Sequence, residues 1–257
     1  MYAIAGKDRE LLLILHKVLS AVATSEQAFN SLCTAVRYTI ERQTARNGLL
    51  PQLLESADSH LKTIEFIDAF VTRSIAGQVA AIVTGTVLSI YFDQFAGFEV
   101  IVHPVNQSGA SSNEVADIDI KRNGKIFAVF EVKDKQFNQQ DADHAAFKAS
   151  QYGLNSITFI VGVHGICVGS SLEEVTKNIF LARSVNVIVI DLPSFVRSVI
   201  ALCPELYFAT FLEKLQYYAI GARVKDEVFE HIKSIFQSIQ VASNPPSNIS
   251  PEADGGK

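Results

Sequence analysis

The stretch Val115 to Lys135, VADIDIKRNGKIFAVFEVKDK, constrains the fold more than any other part of the sequence. On one arm Ile118 and Ile120 alternate with Asp117 and Asp119. On the other, Ile126, Ala128, Phe130 and Val132 alternate with Phe127, Val129, Glu131 and Lys133. A period of two is the signature of a strand, so the stretch predicts a β-hairpin around Arg122-Asn123-Gly124. Side chains two apart share a face, which puts Asp117 with Asp119 and Glu131 with Lys133. Whether both pairs share one face depends on the turn. A three-residue Arg122-Asn123-Gly124 loop unites them, whereas a two-residue Asn123-Gly124 loop separates them. The three-residue loop is expected, because it alone gives one apolar and one polar side.

Three carboxylates and a lysine on one side of a sheet repel and desolvate one another unless a cation joins them. Oxygen ligands without His or Cys nearby favour Mg²⁺ over zinc, and Mg²⁺ uses one or two carboxylates, waters and a phosphate-bearing substrate. Asp117, followed after thirteen residues by Glu131-Val132-Lys133, resembles the PD-(D/E)xK nuclease signature, with Ala116 where that family often has proline. The stretch EVKDKQFNQQDADHAAFKASQYGLNSITFIVG is similar to type II restriction endonucleases of the SacI-like group.

The resemblance implies an α/β, restriction-endonuclease-like core: a mixed four- to five-stranded central sheet flanked by helices, with a helical N-terminal region. It implies that Asp117, Glu131 and the Val132 carbonyl hold Mg²⁺ and that Lys133 orients the attacking water. Asp119 is a reserve ligand, and Glu114 is a further candidate within reach. Relatives often carry a glutamate on the preceding helix; the matching place here holds Gln78, which leaves a ligand from that helix in doubt. Lys148 is a supporting candidate on the following helix, on one face with His144 and Gln151. The implied partners are double-stranded DNA, a second copy of the chain in a homodimer, and a cognate DNA methyltransferase in the host. Two other readings stay open: a structure-specific repair or recombination nuclease of the same fold, and a non-catalytic DNA-binding module.

The loop NQSGASSNE, residues 106 to 114, offers Asn106, Gln107, Ser108 and Asn113 as DNA contacts, as Lys135 and Asn138 do beyond the second strand. A flexible connection explains the same composition. The net charge of −5 argues against a general nucleic-acid coat but leaves room for a local basic cleft.

Four regions are expected: helices over 1–75, the catalytic core over 76–200, C-terminal helices over 201–241 packing on it, and a disordered tail over 242–257. Leu11, Ile14, Leu15, Val18, Leu19 and Val22 form one helical stripe and Phe29, Leu32, Cys33, Val36 and Ile40 another, with a third helix starting near Pro51. Val79 to Phe92 is the most apolar window, too short to span a bilayer at ~20 residues, and reads as a buried helix before the strand FEVIVHPV. Asp141 to Tyr152 is a helix ended by Gly153. The runs Ile157–Val161 and Val187–Ile190 are interior parallel strands linked by a helix over 171–184, with Asp191 capping the next helix. Three scattered cysteines and the lack of a leader pattern predict a reduced, cytoplasmic setting without a membrane anchor.

Overall fold

The computed structural model describes residues 7–47, 60–104, 114–204 and 206–243. The chain divides into two units, Met1–Leu49 and Leu50–Lys257. In the first lie helices α1 (Lys7–Ser20) and α2 (Ser25–Asn47), whose apolar residues Leu13, Ile14, Val18, Phe29, Leu32 and Val36 are exposed.

The second unit is built on a five-stranded sheet with the order β1 (Phe98–Val102), β2 (Ile118–Arg122), β3 (Lys125–Lys133), β5 (Ser156–Val161), β7 (Asn186–Asp191). The first three strands form an antiparallel meander; β3, β5 and β7 run parallel. This is the mixed sheet expected from the sequence. A separate parallel ribbon pairs β4 (Gln136–Phe137) with β6 (Ile166–Cys167). The sequence reading took Gln136 as part of a polar link; two-residue strands are too short to show a period.

Helix α3 (His60–Phe70) buries Phe66, Ile67 and Phe70, and Phe66 meets Phe208 and Phe211 of α8 (Phe208–Gly221). The helices expected over 1–75 thus divide at Leu50, the last of them packing with the C-terminal helices α8 and α9 (Asp226–Ser243). The start of that helix at Pro51 lies outside the described residues, as does most of the expected tail.

Helix α4 (Gln78–Phe92) is buried on every side from Gln78 to Ser89. Its apolar run needs no polar face, and the hydroxyls of Thr84 and Thr86 are satisfied by the carbonyls of Ala80 and Ile82. Gly85 lets it lie against β1, since a Cβ there would sit 2.1 Å from Val102 Cγ2. With α7 (Leu192–Ala201), this helix covers one face of the sheet, where Phe130 meets Phe195. The other face is covered by α5 (Gln139–Gln151) and α6 (Leu172–Arg183), around a core of Val115, Val129, Phe159 and the alanines 142, 145, 146 and 149. Small alanines allow the close helix–sheet approach read from the sequence.

Candidate active site

The hairpin reaches its expected parity by an unexpected route. Arg122 pairs with Lys125, so the loop has two residues, Asn123 (φ 50°) and Gly124 (φ 76°), both left-handed as a primed hairpin turn requires. That loop alone would separate the acids. Ile120, however, pairs with Ala128 and Lys121 with Ile126, leaving Phe127 as a one-residue bulge that restores the register. The three-residue loop of the sequence reading is therefore corrected. The bulge is held from outside the hairpin, because Phe127 packs edge-on against Phe98 at 5.2 Å and Phe92 at 6.3 Å.

Ile118 faces Phe130, so Asp117, one step before β2, lies alongside Glu131. Its Oδ2 accepts a hydrogen bond from the Val132 amide at 2.8 Å. Lys133 Nζ lies 2.7 Å from Glu131 Oε1 and above the Phe159 ring, 5.8 Å from its centroid. The two side chains of that pair are only 13% and 17% exposed. Burial, then the Glu131 charge, pushes the Asp117 carboxyl up to about 7 from an ordinary 3.8. The Val132 N–H, Lys133 and Lys148 pull the other way, which brings the α5 lysine into the electrostatics of the site.

Lys133 is followed by a buried brace. Asp134 Oδ1 accepts from the His164 amide at 3.1 Å, and the Asp134 carbonyl accepts from Ser74 Oγ at 3.1 Å. Ser74 precedes three consecutive left-handed residues, Ile75 (φ 43°), Ala76 (62°) and Gly77 (80°), through which the chain enters α4. A β-branched residue there carries backbone strain. The sequence reading missed this brace, whose partners lie on two distant segments.

The other candidates are placed as follows. Asp119 is 1% exposed, with its oxygens on His103 Nε2 and the amides of Val115 and Ala116. Glu114 Oε1 is 3.5 Å from His103 Nδ1. Gln78 is buried, its Oε1 accepting from the Lys225 amide at 3.0 Å, so its oxygen is spent on packing α4 against the start of α9. Asn138, expected to contact DNA, gives its side-chain oxygen to Gln140 and Asp141 in the capping box of α5. Lys135 and His144 are exposed. Asp191 caps α7 through Ser194, as read from the sequence. Asn106, Gln107, Ser108 and Asn113 lie outside the described residues.

Among the described residues no three His, Cys, Asp or Glu side chains gather as a ready-made metal cage. The fit to a hard cation rests on two oxygen donors: burial and the neighbouring Glu131 disfavour the charged form of Asp117, and a divalent ion held between the two would relieve that conflict.

Residues 55–163 match the family model of the SacI restriction endonuclease C-terminal domain. This segment is similar to the C-terminal domain of the SacI restriction endonuclease. The match runs from before α3 past the end of β5, so the SacI-like segment contains Asp117, Glu131 and Lys133 and supports a nuclease. No curated protein matches the chain. Strand β7 and helices α6 to α9, outside the SacI-like match, complete the sheet and its cover.

Proposed function

We propose that the chain is a sequence-specific type II restriction endonuclease that hydrolyses phosphodiester bonds of double-stranded DNA with Mg²⁺. One observation carries this reading: Asp117 sits beside Glu131-Val132-Lys133 with its carboxyl pushed to about 7, inside a SacI-like domain.

Asp117, Glu131 and the Val132 carbonyl would hold the cation. Bound there, Mg²⁺ supplies polarisation of the scissile phosphate and an attacking water of lowered pKa. Lys133, steadied by Glu131 at 2.7 Å, orients that water and stabilises negative charge developing on the phosphorus oxygens. Lys148 adds positive charge from α5 and helps to keep Asp117 ionised. Hydrolysis leaves a 5′-phosphate and a 3′-hydroxyl.

Cutting both strands of a duplex takes two such sites, so the working form is a twofold dimer on a palindromic sequence. A host that carries this enzyme needs a cognate methyltransferase to protect its own DNA. Three free cysteines fit a reduced, cytoplasmic setting, and no helix among the described residues is long and apolar enough to cross a membrane.

Digestion of plasmid and phage DNA with Mg²⁺, beside an EDTA control and Glu131→Ala protein, tests the reading. Discrete metal-dependent bands that vanish with Glu131→Ala are expected. Intact DNA across diverse duplexes would overturn sequence-specific cleavage.

A further inference from the structure

We propose that Asp119 and His103 are positioning residues that hold Asp117 at the place where β3 meets it. Asp117 lies in a bend one residue before β2, outside the sheet ladder, so its own strand does not fix it. Two neighbours do so instead, Asp119 through its side chain and His103 through both its backbone amide and its imidazole. Asp119 reaches back along the chain, Oδ1 accepting from the Ala116 amide at 3.2 Å and Oδ2 from the Val115 amide at 3.3 Å. These bonds fold residues 115–117 into the bend. His103, at the end of β1, closes the structure from the neighbouring strand. Its amide donates to the Asp117 carbonyl at 2.9 Å, and its Nε2 lies 2.8 Å from Asp119 Oδ2. The Asp117 backbone is thus tied on both sides, while its carboxylate is left for the Val132 amide.

Burial gives the arrangement its rigidity. Asp119 is 1% exposed, His103 is 16% exposed, and Val115 and Ala116 are sunk in the core beneath α5. To bind a cation itself, Asp119 would have to abandon buried donors whose unmet hydrogen bonds are costly. The geometry therefore separates the two aspartates that the sequence presents as equivalents: Asp117 faces the reaction, and Asp119 acts through it.

The effect on rate rests on the nuclease reading; the effect on geometry does not. The geometric test is the amide resonance of Val132 in ¹⁵N-labelled metal-free protein, which reports the Asp117 carboxylate at 2.8 Å. Asp117→Ala gives the position of that resonance without its acceptor. Asp119→Asn and His103→Ala should each move it toward that position, and His103→Gln, which retains a side-chain donor, should return it part of the way. In cleavage assays the same variants should lose about 10- to 100-fold in kcat, the range seen when the outer partners of a ligand are removed, with KM for duplex DNA unchanged. A Val132 resonance that stays at its wild-type place while those of Val115 and Ala116 move would overturn the proposal, confining the clamp to the loop. If wild-type protein cuts no DNA, the nuclease reading fails and the resonance still decides the clamp. If Asp119→Asn does not fold, the two His103 variants, at a less buried position, decide it.

Discussion

The Val132 amide donates to Asp117 Oδ2 at 2.8 Å, so the backbone between Glu131 and Lys133 grips the acid of the neighbouring strand. The three candidate catalytic side chains are therefore coupled through one peptide unit, and a disturbance of either strand end reaches all of them.

Loss of any one should accordingly be severe. Asp117→Asn, Glu131→Gln and Lys133→Ala are each expected to lower single-turnover cleavage by on the order of 100-fold or more, and Lys133→Ala, which leaves the Glu131 carboxylate without its partner, should lower the melting temperature as well. Lys133→Ala protein with undiminished cleavage in Mg²⁺ would remove the lysine from the mechanism.

The pH dependence of stability has a definite sign. Asp117 titrates near 7 in the folded metal-free protein against an ordinary 3.8, so the fold binds its proton more tightly than the unfolded chain. Below about pH 4 both states are protonated. Between about 4 and 7 the unfolded chain releases the proton while the fold retains it, and stability falls; above 7 the penalty is complete, at most about 4 kcal/mol. Asp117→Asn removes the penalty. Urea midpoints should be similar for parent and variant at pH 4 and higher for the variant at pH 8; equal midpoints at both would show an ordinary, solvated carboxyl.

Gly165 lies under the backbone of the site. A Cβ there would sit 2.1 Å from the Lys133 carbonyl oxygen and 2.7 Å from Val161 Cγ1. Gly165→Ala should destabilise by roughly 1–3 kcal/mol as β3 and β5 shift. Because the displaced carbonyl belongs to Lys133, cleavage at a temperature where the variant is folded should fall as well. Thermal melts and initial rates measured together separate the two effects.

Gln78 is expected to matter for stability only. Gln78→Leu leaves the Lys225 amide without its acceptor, a loss of about 1–3 kcal/mol. The Mg²⁺ concentration for half-maximal cleavage should stay unchanged. A shifted Mg²⁺ requirement would return this helix to the metal site.

The sharing of one face by Glu131 and Lys133 was legible because period-two alternation is a local property of the chain, whereas their juxtaposition with Asp117 rested on an expected odd number of unpaired residues at the turn. The mixed sheet was legible for a similar reason: continuous apolar runs at 157–161 and 187–190, separated by a helix, admit a parallel pair, although the second run, expected in the interior, forms the edge strand β7 with Ile188 exposed. The route to that juxtaposition was not legible. The Phe127 bulge depends on Phe92 and Phe98, on a helix and strand that precede the hairpin. Asp119 looked like a ligand because its partners are two backbone amides and His103, sixteen residues earlier, and nothing in residue type announces a carboxylate that faces its own chain. Asn138 shows the same ambiguity: one amide side chain serves equally to read a base or to cap a helix, and the capping box with Asp141 decides it.

The bulge also changes how the tip of this hairpin can vary. Asn123, Gly124 and Phe127 are the unpaired residues between the two strands, and only the evenness or oddness of their number determines which side the acids occupy. A residue gained in the turn can be offset by loss of the bulge, and two can be added together without harm. A single uncompensated insertion or deletion inverts the strand and carries Glu131 and Lys133 to the far side of the sheet. Length differences in this hairpin thus count modulo two, and an aligned gap of one residue at the tip is a reason to look for a missing Phe127.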